Sequence, residues 1–286
     1  MSIFSMQASS NPQRICPLCG DVAAYDDFAD LYYCGHGCDS FAPLMPDIYT
    51  LMCFGPSGVG KTPELNAMCD FYLRNGRPII LLAFDDLTSS VRKPLNAYCQ
   101  ERLPEYEAAG LATLVDCYSS LAGSPSEEKY ALKNRVDLNE LSLLVSNLMN
   151  EKGHLGSPKV FLDSLTPLFN YKEPQLVVQF ITSVGAKIKT KGGAFLFSLT
   201  SGTVSNEIST RLETTADFVD ELRFIEVDGR QRRESRWTKA RGIRIPEEWF
   251  PFYIGTKTIS MDVGWDDPAK YERLKRIFRE LPQSQK

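Results

Sequence analysis

The stretch "CFGPSGVGKTPELN", Cys53 to Asn66, constrains the fold of this chain more than any other. A short apolar run, "YTLMCF", leads into the spacing G-x-x-x-x-G-K-T, carried by Gly55, Pro56, Ser57, Gly58, Val59, Gly60, Lys61 and Thr62. The glycines let the backbone curl until successive N–H groups point inward at phosphate oxygens. Lys61 can reach the outer phosphates of a nucleotide, and Thr62 offers a hydroxyl to Mg2+. The helix that must follow aims its N-terminus at the anion. Pro63 falls in its first turn, where a missing N–H costs least. The segment predicts strand, phosphate cradle and helix in that order.

The rest of the 286 residues is organised to suit. "PIILLAFDD", "LATLVDCY", "PKVFLDSL" and "GAFLFSLT" are strand-length apolar runs bounded by charges or turn residues. Between them, residues 63–75, 88–102, 138–152 and 174–190 read as helices. Near-continuous apolar strands alternating with helices predict an α/β fold with a mostly parallel sheet covered on both faces. A further helix is expected at "SNEISTRLE". Beyond it, "DFVDELRFIEVDG", "RRESRWTKARG" and "WFPFYIGTKTISMDV" alternate as antiparallel strands do and predict an edge hairpin. Residues 119–137 are polar and Gly/Ser/Pro-bearing, and are expected to be a mobile loop.

This divides the chain into a disordered start (1–12), a small cysteine-rich unit (13–42), a nucleotide-binding domain (46–264) and an amphipathic C-terminal helix (265–286). The net charge of −4 sets up no global field for nucleic acid. No apolar signal core opens the chain, and its longest apolar run is too short to span a bilayer, so a cytoplasmic protein without membrane insertion is expected.

Two acidic positions complete the cradle's chemistry. Asp163 ends the run "KVFLD" two strand–helix units after the cradle, where an acid can hold Mg2+ and its water shell. Asp85 and Asp86 end the strand directly after the cradle helix. One of them can polarise an attacking water, or both can be solvated turn residues.

Four of the eight cysteines crowd into the first forty residues. "CPLCG" and "YYCGHGCDSF" give Cys16, Cys19, Cys34 and Cys38, with His36 between the last pair. The spacing is close to that of a zinc ribbon. Cys38 is the chosen fourth ligand and His36 the alternative. Free thiols or a redox pair are the competing reading. Zinc would hold together a unit too small to fold on its own core, and such a head is expected to dock a partner protein, another subunit or nucleic acid. Cys53, Cys69, Cys99 and Cys117 stand singly in apolar surroundings and read as small buried hydrophobes. From Arg230 to Arg244 seven Lys/Arg residues surround Trp237, a pattern able to track a phosphate backbone.

The stretches "GPSGVGKT", "AFDD", "VDCYS", "LNELSLLV", "VFLDSLTPL", "RLETTADFVDELR", "KARG" and "PFYI", in this order, resemble the KaiC/GvpD branch of the RecA-like P-loop ATPases, common in archaea. The likeness covers about Pro46 to Val263, and the cysteine-rich head lies outside it. It implies a single RecA-like domain that binds ATP and Mg2+ and assembles as a homo-oligomeric ring, often a hexamer, with ATP at subunit boundaries. It also implies that Lys239 and Arg241, in the K-x-R-G motif, reach the outer phosphate of a neighbouring subunit. A cation entering from a neighbour can offset charge on the transferred group, as an arginine finger does. One departure concerns turnover. Similar sequences carry paired glutamates where this chain has Asp85 and Asp86, each one methylene shorter. A misplacement of about 1 Å can cost roughly 100-fold in rate. The expected activity is a slow ATPase of regulatory type, or ATP held as a conformational ligand by a non-catalytic scaffold. A recombinase-type module using the zinc head and basic hairpin on nucleic acid is the alternative.

Overall fold

The computed structural model describes residues 15–16, 20–26, 31–34, 45–134, 136–242 and 248–261. The expected disordered start and C-terminal helix, and most of the cysteine-rich unit, lie outside these residues. Within the unit, β1 (Ala24–Asp26) and β2 (Leu31–Tyr33) pair antiparallel as a two-stranded ribbon.

The main body is a nine-stranded sheet. Its elements are β3 (Thr50–Gly55), α1 (Lys61–Arg74), β4 (Ile79–Ala83), α2 (Thr88–Tyr98), α3 (Leu103–Ala108), β5 (Ala112–Asp116), α4 (Tyr118–Ala122), α5 (Leu138–Lys152), β6 (Lys159–Asp163), α6 (Pro174–Thr190), β7 (Ala194–Thr200), α7 (Asn206–Thr215), β8 (Phe218–Val227), β9 (Arg230–Ala240), β10 (Phe250–Ile254) and β11 (Ile259–Met261). The strand order is β11-β10-β9-β8-β3-β7-β6-β4-β5. Strands β5 to β8 in that order are mutually parallel, and β9, β10 and β11 add on antiparallel. This is the predicted mixed α/β architecture with its antiparallel edge.

The parallel strands are continuous apolar runs because both sheet faces are covered. One core packs Leu51, Leu65, Met68, Leu81 and Phe161 with α1, α2 and α3. The other packs Met52, Ile80, Val160, Phe195 and Phe197 with α4 to α7. Cys53, Cys69, Cys99 and Cys117 are all buried, and burial raises the pKa of each thiol.

Two expectations need correction. The helix expected over 88–102 ends at Tyr98, and a second, unexpected helix, α3, begins at Leu103. After Tyr98 the chain turns through Gln100 and Glu101, both at positive φ (53° and 63°), and the Asn96 side chain accepts from Leu103 N–H to start α3. The stretch 119–137 is pinned rather than loose. Asp116 forms an isolated bridge with Ala131, Leu132 and Val136 are buried, and Glu128 accepts from both terminal nitrogens of Arg92. The segment thus pairs with the last residue of β5 on its outer edge, where both backbone groups of Asp116 find partners. No helix among the described residues is long and apolar enough to cross a membrane.

Candidate functional site

β3 delivers the cradle at the C-terminal edge of the parallel sheet. Gly55 is required there because a Cβ would sit 2.5 Å from the Leu222 carbonyl of β8. Gly60 adopts φ 122°, and a Cβ there would meet Ile254 and Phe252 of β10. The antiparallel edge therefore buttresses the cradle directly. α1 begins at Lys61 with Gly60 as its N-cap and no side-chain cap, so its first-turn N–H groups carry the helix's positive end without a partner from a capping residue.

The Lys61 ammonium is almost fully buried and donates to the carbonyls of Gly55 (2.9 Å) and Pro56 (2.8 Å). Burial lowers its pKa, opposed by nearby Cys53, Asp163 and Asp85. Asp163, at the end of β6, accepts from the Ser198 hydroxyl of β7 at 2.7 Å and from the Thr62 hydroxyl. Burial raises its pKa, and the two hydroxyls hold it back. Asp85 lies just past the end of β4, and its carboxylate accepts from the Ser164 hydroxyl at 3.0 Å. Asp86 instead turns its carboxylate to the Leu87 N–H at 2.7 Å. Folding thus gathers Lys61, Thr62, Asp163 and Asp85 at one edge and leaves Asp86 facing its own turn. Buried cation, uncapped helix start, hydroxyl and acid form a donor set that fits a nucleotide phosphate tail with its magnesium ion.

Beneath the cradle lies a cluster that sequence reasoning missed. Glu64, in the first turn of α1, hydrogen-bonds Asp220 of β8. The Cys53 thiol donates to Glu64 at 3.0 Å, and the Ser235 hydroxyl donates to Asp220 at 2.6 Å. All four residues are buried. Burial drives both carboxyl pKa values up, each raising or bonding the other, so the pair retains a proton well above the ordinary carboxylate range. One signal was readable: Asp220 shares the strand parity of Phe218, Leu222 and Phe224, the core-facing side.

Lys239 and Arg241 are elsewhere. Ala240 pairs with Phe218, and Phe218 with Leu51, at the start of β3. They therefore lie toward the opposite edge of the sheet from Gly55, at a level roughly 13 Å away along the strand at about 3.3 Å per residue. Lys239 donates to the carbonyls of Glu213 (2.9 Å) and Thr214 (3.0 Å) at the end of α7. Arg241 pairs with Asp217 at 2.9 Å. Neither reaches its own cradle.

Two of the remaining basic residues of the hairpin have internal partners, while Arg230 and Arg232 are exposed. Arg236 pairs with Glu221, Arg233 lies over Phe224, and Arg236 stacks on Trp249. Trp237, partly buried, packs edge-on against the core residue Phe218. Cys16 and Cys34 are buried, while Cys19, His36 and Cys38 lie outside the described residues. Among the described residues no group of three His, Cys, Asp or Glu side chains could hold a metal ion.

The chain superposes on the KaiC-like protein PH0186 from the hyperthermophilic archaeon Pyrococcus horikoshii OT3 with a TM-score of 0.61, at 17% identity, over 74% of this chain and 89% of that one. That likeness establishes a RecA-like fold of the KaiC type. No curated protein matches the chain. A family model described as "Family of unknown function (DUF7504)" matches residues 59–222, from inside the cradle to the strand that packs behind it, and the chain belongs to that family.

Proposed function

We propose that this protein binds Mg-ATP at the cradle and acts as a slow, ring-forming regulatory ATPase. The observation that carries this reading is the convergence of Lys61, Thr62, Asp163 and Asp85, from three separate segments, on one edge of the sheet. Lys61 would hold the outer phosphates. Thr62 and Asp163 would hold the magnesium ion, which offsets phosphate charge when bound. Asp85, rather than Asp86, would orient water, because its carboxylate faces Ser164 and the field of Lys61. Its short side chain supports slow turnover.

Lys239 and Arg241 would serve a neighbouring subunit. Their separation from the cradle of their own chain leaves an intersubunit role as the one by which they could meet a nucleotide. The N-terminal unit is proposed to bind zinc through Cys16, Cys19 and Cys34 with Cys38 or His36, and to dock a partner. Zinc content of the intact chain and of Cys16→Ser tests that part.

The primary test is nucleotide titration of Lys61→Ala. Loss of ATP binding with the fold retained is expected. Wild-type ATP affinity in this variant would overturn the assignment.

A further inference from the structure

We propose that Asp217 is the positioning residue for the cations offered to a neighbouring subunit, and that Lys189 is a third member of that set. The proposal rests on the intersubunit reading given above and extends it to two residues outside the K-x-R-G motif.

Asp217 lies between α7 and β8 and is almost fully buried. One carboxylate oxygen accepts from Thr50 N–H at 3.0 Å and from Lys189 Nζ at 2.9 Å. The other meets Arg241 Nη1 at 2.9 Å. The backbone repeats the link: Asp217 N–H donates to Thr50 O at 2.8 Å, and Arg241 N–H to Asp217 O at 3.0 Å. A single carboxylate thus orients two cations from different elements. Lys239 ends on the adjacent carbonyls of Glu213 and Thr214, so three cations gather around one acid.

Stability accounts for the buried bonds of Asp217 to Thr50 and Lys189 but not for its pair with Arg241. The Arg241 side chain is 65% exposed, and exposed ion pairs contribute about 0–1 kcal/mol. What the pair does supply is direction. The Arg241 fork is fixed at one nitrogen and otherwise presented to solvent. A β-bulge re-aims the strand just before it: Asp220 pairs with Trp237 and Val219 with Lys239, which leaves Thr238 unpaired. Strict alternation would have kept Lys239 on the core-facing side with Trp237. The cluster therefore presents excess positive charge at an edge that its own nucleotide cannot reach, as the triphosphate of a second copy would require. Asp217 also ties the cluster to Thr50, the first residue of the strand that ends in the cradle.

The test compares wild type, Asp217→Asn, Lys189→Ala and Arg241→Ala. Phosphate release at saturating Mg-ATP is measured together with binding of a fluorescent ATP analogue. Turnover is then repeated on mixtures of each variant with Lys61→Ala. Asparagine keeps an acceptor for Thr50 N–H but loses the charge that orients Arg241. Turnover of Asp217→Asn should fall roughly 10–100-fold, with analogue affinity unchanged. Lys189→Ala should show the same split with a smaller loss. Mixing Asp217→Asn with Lys61→Ala should restore turnover, because one protomer supplies an intact cradle and the other an intact cation cluster. Wild-type turnover in Asp217→Asn beside an impaired Arg241→Ala would overturn this proposal alone. So would loss of analogue binding in Asp217→Asn, the mark of a merely structural carboxylate, or rescue of Arg241→Ala but not of Asp217→Asn. Wild-type turnover in Arg241→Ala would overturn the intersubunit reading itself.

Discussion

The Ser198 hydroxyl donates to the carboxylate of Asp163 at 2.7 Å, across neighbouring strands β7 and β6. It leaves the acid oriented toward Thr62 at the start of α1. Residues that orient a metal-holding group typically matter about 10–100-fold in metal affinity. Ser198→Ala should therefore weaken magnesium-dependent ATP binding by about 10-fold and leave binding in EDTA unchanged. Titrations with and without magnesium check this.

Lys61 is folded onto its own loop carbonyls, so its removal loses two hydrogen bonds but relieves a buried charge. These effects oppose each other. Lys61→Ala should change nucleotide-free stability by no more than about 1 kcal/mol. The ligand-induced rise in Tm, worth about 2.7 kcal/mol at a hundredfold excess of ATP over Kd, should vanish. Thermal melts with and without Mg-ATP separate the two.

The Glu64–Asp220 pair predicts a pH dependence of stability. Both carboxyl pKa values are raised by folding. The native state therefore binds more protons than the unfolded chain above the ordinary carboxylate pKa. Stability is fully present at acid pH and falls as pH rises through the folded values. Glu64→Gln keeps a partner for Asp220 and removes one titration. It should be more stable than wild type by about 1 kcal/mol at pH 8, with the difference shrinking toward pH 5. Denaturant unfolding across that range is the measurement.

Lys159 predicts the opposite slope. It is fully buried at the start of β6, donates to the Asp47 carbonyl and lies over the Tyr72 ring. Burial lowers its pKa to about 8, with Asp47 opposing. The unfolded chain binds the extra proton between pH 8 and the ordinary lysine range, so stability should rise with pH over that window, by roughly 3 kcal/mol. Lys159→Met should flatten the rise relative to wild type.

What was legible in the sequence is what depends on neighbours in the chain. The cradle, its flanking strand and helix, and the placement of Asp163 at a strand end follow from local spacing and apolar runs. Helices α5 and α6 begin and end where periodicity and terminal residues place them. What was not legible joins distant segments. Nothing near Thr50 announces its bond to Asp217, and nothing near Arg92 announces Glu128 as the anchor of the 119–137 segment. Lys159 reads as a polar strand start but is buried under the incoming chain at Asp47. The break between α2 and α3 runs through two exposed non-glycine residues, Gln100 and Glu101, at positive φ, a conformation that their residue types do not announce. Asp85 and Asp86 look alike in sequence; only the fold separates them, by setting Ser164 beside the first.

The most direct test of the account is the light-scattering mass of the purified protein with and without Mg-ATP, with phosphate release followed on the same sample. A slow ring-forming ATPase gives a nucleotide-dependent ring of several protomers that releases phosphate slowly. A monomer under both conditions, releasing none, would contradict it.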